Sequence, residues 1–118
     1  MRFQSLVLLF LILLASAILN QAIPGGWSPI KNISDPYVVG IARSAVDLYD
    51  KQEGATLEFE NLIKGESQDV KDKLQVVFQT NYRLTLSAKS GSSSNNYEAV
   101  VLDQFSEYLR NLSSFKRI

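Results

Sequence analysis

The stretch Leu74-Gln-Val-Val-Phe-Gln-Thr-Asn-Tyr-Arg-Leu-Thr-Leu-Ser-Ala-Lys89 has a period of two. Leu74, Val76, Phe78, Tyr82, Leu84, Leu86 and Ala88 alternate with Gln75, Gln79, Asn81, Arg83, Thr85, Ser87 and Lys89. Successive side chains of a strand point to opposite faces, so this pattern predicts one long strand with a buried and a solvated side. Downstream, Ser90 to Asn96 (SGSSSNN) reads as a turn, Tyr97 to Leu102 (YEAVVL) as a further strand, and Leu112 to Ile118 as another. Upstream, Thr56 to Lys64 (TLEFENLIK) alternates again, with Leu57, Phe59 and Ile63 on one face and Glu58 and Glu60 on the other. The intervening GESQDVKDK, charged and opened by Gly65, reads as a loop.

Before the strands the period changes. Ser34-Asp35-Pro36 is a helix start, because Ser and Asp cap free N–H groups and proline gives up one that had no partner. Val38, Ile41, Ala42, Ala45, Val46 and Tyr49 recur at three- and four-residue steps, opposite Arg43, Ser44, Asp47, Asp50 and Lys51. A helix over about 36–52, stopping near Gly54, follows. One helix stripe and one sheet face then bury each other, an α+β fold with an antiparallel sheet. Residues 18–33, with Pro24, Gly25, Gly26 and Pro29, form an irregular or extended arm ahead of the domain at 34–118.

The start of the chain reads as a targeting signal. Met1-Arg2 is followed by the apolar run Leu6–Leu14 and by Ala15-Ser16-Ala17, small residues of the kind a signal peptidase reads. The run is too short to span a bilayer, so cleavage after Ala17 is expected, with the mature chain secreted to the apoplast or carried to the vacuole. After cleavage no membrane partner is expected. Asn32-Ile33-Ser34 and Asn111-Leu112-Ser113 are then candidate glycosylation sequons.

Composition narrows the chemistry. The 118 residues hold 12 Lys+Arg, 12 Asp+Glu, no His and no Cys. Imidazole bases, thiolate nucleophiles, disulfides and zinc sites built on either residue are excluded. The balanced charge argues against a nucleic-acid partner. A carboxylate enzyme is disfavoured, since Glu58 and Glu60 read as a solvated strand face with no acid placed across a cleft. No cofactor or metal is implied, and an inhibitory or binding module leads.

Gly25-Gly26-Trp27-Ser28-Pro29-Ile30, Ile41-Ala42-Arg43-Ser44-Ala45-Val46, Leu57-Glu58-Phe59-Glu60, Gln75-Val76-Val77 with Thr80-Asn81-Tyr82-Arg83-Leu84, and Asn96-Tyr97-Glu98-Ala99-Val100-Val101 together resemble the plant cystatins. The resemblance implies a cystatin-like sheet wrapped around one helix, and reversible, non-covalent inhibition of papain-like cysteine proteases. Three elements carry that activity in the family: a glycine near the N-terminus, a Q-x-V-x-G loop in the first hairpin, and a Pro-Trp pair in the second. Gly25-Gly26 supplies the first. Gln75-Val76-Val77 begins the second, but Phe78-Gln79 stand where a small residue and glycine are expected, and Gln68 to Leu74 reads as an insertion. A rival alignment places Gln68-Asp69-Val70 at the motif. Phe105-Ser106 replace the Pro-Trp pair, Leu102 an aromatic, and on the helix Ser44 and Asp50 replace an aromatic and an asparagine. Weakened or retargeted inhibition is expected, with a non-inhibitory binding module of the same fold as the alternative. A monomer is expected, a strand-exchanged dimer being the other outcome open to long hairpins.

Overall fold

The computed structural model describes residues 23–105 and 109–118. The signal segment, the first part of the arm and Ser106 lie outside them. The elements run β1 (Ile23–Pro24), β2 (Ser28–Pro29), α1 (Pro36–Glu53), β3 (Glu58–Lys71), β4 (Val77–Ser90), β5 (Ser93–Gln104) and β6 (Leu109–Arg117). All strand pairs are antiparallel, in the order β1-β3-β4-β5-β6, with β2 also on the outer edge of β3. One helix lies on one face of the sheet, the α+β architecture expected from the change of period.

Helix α1 has the predicted start and stop. The Asp35 carboxylate accepts from the Tyr37 N–H at 2.9 Å, Pro36 sits in the first turn, and Gly54 ends the helix in the left-handed region at φ 64°. Ile41, Ala42, Ala45 and Val46 are buried against Leu84, Leu86, Ala88, Ala99 and Val101. The two alanines matter because a short side chain lets the helix come close to the pleat. At the helix's C-terminal end Tyr49 stacks on Phe115 at 4.2 Å, and Phe115 on Tyr97 at 5.0 Å.

Strand β3 departs from its reading in two ways. Its register against β4 shifts between Phe59 and Asn61 and again between Leu62 and Lys64. A single extra residue reverses the faces that follow. Leu62, not Ile63, therefore joins Leu57 and Phe59 against the core, and Ile63 is left exposed. The larger correction concerns GESQDVKDK: Gly65 to Lys71 continue β3 and pair with β4 throughout. Gly65 is not a turn glycine. A β-carbon there would lie 2.7 Å from Leu84 Cδ2 and 3.0 Å from Ile30 Cδ1, so the glycine lets the arm and the sheet close together.

The stretch Gln68 to Leu74 is accordingly no loose insertion. Gln68–Lys71 are ladder residues, and only Asp72–Val76 turn. The second turn is shorter than the sequence suggested as well. Ser90 pairs with Ser93, leaving Gly91-Ser92 as the loop, with Gly91 at φ 61° in the first central position that a tight two-residue hairpin assigns to glycine. Ser93–Asn96 belong to β5, and β6 begins at Leu109.

The arm is also paired. Beyond the ladders of β1 and β2 on β3, the Gly25 N–H donates to the Asp69 carbonyl at 2.8 Å and the Ile30 N–H to the Gly65 carbonyl at 2.9 Å. Strand pairing satisfies the backbone groups of a segment the sequence marked as irregular or extended.

Candidate functional site

The topology brings the motif-bearing segments to one end of the sheet. The β3–β4 turn, the end of β5 and the start of β6 all lie there, and the arm runs along β3 toward the same end, from Pro29 opposite Glu66 to Ile23 opposite Lys71. Gly25, Gly26 and Gln75 line one open cleft of about 420 Å³ with Ser28, Ser67, Asp69, Lys71 and Asp72. The first two predicted elements thus share a surface.

Gly25 and Gly26 have no structural need to be glycine. Neither has a positive φ; among the described residues a β-carbon on Gly26 would meet nothing within 4 Å, and one on Gly25 only the Asp69 oxygen at 3.5 Å. Their lack of side chain is turned outward, where it exposes backbone to an approaching surface.

The first hairpin tip is compact. The Asp72 N–H donates to the Val76 carbonyl at 2.9 Å and the Gln75 N–H to the Asp72 carbonyl at 3.0 Å, while the Asp72 carboxylate accepts from Leu74 and Val76 N–H groups at 2.8 and 3.0 Å. A short turn of this kind ends in a left-handed residue, a place usually held by glycine. Here Gln75 takes it, at φ 64°. The tip offers apolar side chains to solvent: Leu74 is 82% and Val76 54% exposed.

Of the five residues Gln75 to Gln79, the structure puts Gln75 and Val76 on the tip and Val77, Phe78 and Gln79 at the start of β4. Gln79 is half-buried and hydrogen-bonded within the sheet's outer face. Gln68, the rival motif residue, sits in β3 opposite Asn81, away from the turn. Leu74, the most exposed apolar residue of the tip, was read as the first inward position of a strand, and its exposure follows from the turn occupying Asp72–Val76, so that β4 starts at Val77.

Phe105 follows directly on β5 and is 37% exposed. It is not part of the core. It lines an open cleft of about 680 Å³ between the second hairpin and α1, with Tyr37, Leu48, Leu109 and Arg110 among its neighbours. Below it lies a polar cluster that the sequence reading missed. The buried Asp103 carboxylate accepts from the Tyr37 hydroxyl and faces Arg110 Nε at 3.7 Å. Arg110 also donates to Ser44 Oγ at 2.8 Å and lies over the Tyr37 ring at 5.4 Å. The cluster fastens both strands of the second hairpin to the helix. Burial, followed by the hydrogen bond to Asp103, raises the Tyr37 hydroxyl above its ordinary pKa. The signal was available: extending the alternation of Ala99 and Val101 by two residues puts Asp103 on the inward face.

The carboxylate candidates lie at the other end of the sheet, near the β4–β5 turn. Glu58 is a surface residue 3.8 Å from Lys89, and Glu60 accepts from Ser94. Asn32 and Asn111 are exposed, the first in the turn before α1 and the second on the edge strand β6. Among the described residues no helix is long and apolar enough to cross a membrane.

Comparison with known proteins gives two kinds of match. A family model described as aspartic acid proteinase inhibitor matches residues 30–118. Cysteine proteinase inhibitor 5 of Arabidopsis thaliana is 45% identical over 113 residues, 95% of this chain and 84% of the relative. Cysteine proteinase inhibitor 1 of Actinidia chinensis var. chinensis is 39% identical over 94 residues, covering 80% and 75%, and Cysteine proteinase inhibitor 6 of Oryza sativa subsp. japonica 37% identical over 109 residues, covering 90% of each.

Proposed function

We infer that this chain, which belongs to the plant cystatin family of proteinase inhibitors, is a reversible, non-covalent inhibitor of papain-like cysteine proteases with an altered target range. The observation that carries the reading is the meeting of Gly25-Gly26 with the Asp72–Val76 tip at one end of the sheet, beside the end of β5 with Phe105.

The mechanism is occlusion. Bare backbone at the glycine pair permits close approach, the tip inserts Leu74 and Val76, and Phe105 adds an apolar contact from the second hairpin. A papain-like enzyme whose cleft is filled in this way is denied substrate without a scissile bond reaching its thiolate. The altered range rests on three departures from the family pattern: Phe78-Gln79 for a small residue and glycine, a longer paired hairpin, and Phe105-Ser106 in place of Pro-Trp. Secretion after cleavage at Ala17 belongs to the same proposal, and N-terminal sequencing of the mature protein should begin at Ile18.

A second reading, inhibition of aspartic proteinases, is favoured by the family model, which leaves out the glycine pair and spans both hairpins. Titrating the mature chain against papain-like and pepsin-like enzymes separates the two. Submicromolar competitive inhibition of the former supports the first reading, and inhibition confined to the latter replaces it. Binding weaker than millimolar to both, less than about 4 kcal/mol, leaves a non-inhibitory binding module.

A further inference from the structure

Four amide side chains on the face of the sheet away from the helix form a continuous run of hydrogen bonds that ends on the arm. Gln104 Nε2 donates to Gln79 Oε1 at 3.0 Å, Gln79 Nε2 to Asn81 Oδ1 at 2.6 Å, Asn81 Nδ2 to Gln68 Oε1 at 2.9 Å, and Gln68 Nε2 to the Gly25 carbonyl at 2.7 Å. The polarity of the run is forced. A backbone carbonyl only accepts, so Gln68 must turn its NH₂ to Gly25, which leaves its oxygen for Asn81. The same constraint passes to Gln79 and then to Gln104. Hydrogen bonds aligned head to tail polarise one another, so each link strengthens its neighbours.

The run joins β5, β4, β3 and the arm, the four segments that carry the candidate site. A second fastening holds the arm two residues further on. Trp27 packs on the Arg83 guanidinium at 4.4 Å, and Arg83 donates to Glu66 from Nε and Nη2 at 3.1 and 2.8 Å.

We propose that Gln68, Asn81, Gln79 and Gln104 are positioning residues that hold the glycine pair in register with both hairpins, so that a protease meets the arm already in place. The proposal rests on the inhibitor reading above. An arm held before docking loses less conformational freedom on binding than one that must be ordered by the partner. The amides thus act through Gly25 without touching the protease.

The decisive variant is Gln68→Glu, nearly the same size, whose carboxylate still accepts from Asn81 but has no hydrogen to give to Gly25. The first readout is amide exchange at Gly25 in the free protein. It should speed up at least tenfold relative to the unaltered chain, and by a smaller factor in Gln104→Ala at the far end of the run. Lowering the pH below about 4 should shrink the excess in Gln68→Glu, because a protonated carboxyl regains a donor. Of the charged groups nearby, Glu66 is engaged with Arg83 and Asp69 with the Thr80 hydroxyl at 3.2 Å, while Lys71 and Asp72 line the same cleft as Gly25.

The second readout is affinity for a papain-like protease, with and without residues 18–26. Deletion should weaken the unaltered chain about tenfold or more and Gln68→Glu less than threefold. Unchanged Gly25 exchange in Gln68→Glu would overturn the proposal whatever the affinities. Faster exchange with the same arm dependence in both chains would overturn the positioning role. If neither chain inhibits, the inhibitor reading falls, and the positioning role toward a protease falls with it, while exchange separately decides whether the amides hold the arm.

Discussion

Leu74 is the residue on which the tip's contribution to binding should turn. It is 82% exposed, on a turn whose backbone is tied down by Asp72, so it presents apolar surface without the entropy of a floppy loop. Leu74→Ala removes three carbons, each worth about 0.8 kcal/mol when taken out of water. Scaled by the exposed fraction, the loss on binding is about 2 kcal/mol, roughly a thirtyfold rise in Kd. Stopped-flow inhibition kinetics against a papain-like enzyme should place most of it in the dissociation rate. Thermal unfolding should stay within a degree or two, since an exposed side chain contributes little to the folded state. Equal Kd for variant and parent, within twofold, would show that the tip does not enter the interface. A large loss of Tm would mean instead that Leu74 packs on something in the free protein, and the calculation would not apply.

Gly26→Ala should leave stability within about 0.5 kcal/mol, because the added methyl meets none of the described residues, yet weaken protease binding about tenfold; chemical denaturation and inhibition assays read the two separately. Gln75→Gly should stabilise the protein by about 0.5–1 kcal/mol, seen as a Tm rise of a few degrees, since a residue with a β-carbon held at φ 64° is strained and glycine is not. Burial, followed by the field of Tyr37 and Asp103, pushes the Tyr82 hydroxyl up to about 12. Because that pKa exceeds the unfolded value near 10, its stability contribution is complete below pH 10 and is lost as the pH climbs toward 12; Tm measured over that range should fall less steeply in Tyr82→Phe.

The helix and the core half of the sheet were legible because burial imposes a period there. Ile41, Ala42, Ala45 and Val46, and the alternation from Tyr82 to Ala88, are the sequence signature of two surfaces that exclude water from each other. Beyond the core that signal fades. Apart from the buried Val70, Gly65 to Lys71 are exposed or half-buried, so charge and glycine were read as a loop although the backbone ladder continues. The register shifts that exchange Leu62 for Ile63 leave no mark in a single sequence, since both residues are equally apolar. At the candidate site the glycines and Gln75-Val76 were found through the family resemblance, whereas Leu74, Asp103 and the amide run were not. Of the last, spacing puts only Gln79 and Asn81 on one strand face; Gln68 and Gln104 become their neighbours once three strands are in register.

The same register explains why the first hairpin differs from the family pattern in reach, not in laxity. Thr80 pairs with both Asp69 and Asp103, so Asp69, Thr80 and Asp103 lie on one line across the sheet. From that line β5 runs on for one further strand residue, Gln104, while β3 continues to Lys71 before the turn begins at Asp72. At about 3.3 Å per strand residue, the start of the first turn stands roughly 10 Å beyond the line, and Leu74 further still. Gly25, bonded to Asp69, is on the line itself. Residues that a loop would have spent as slack are instead paired, and pairing turns length into projection. A partner touched by Gly25, Leu74 and Phe105 together must therefore have a recess about that deep opposite the tip. Depth of the cleft, rather than the chemistry of any one side chain, then separates the proteases this surface fits from those it does not, because a shallow cleft would meet Leu74 and never reach the glycine pair.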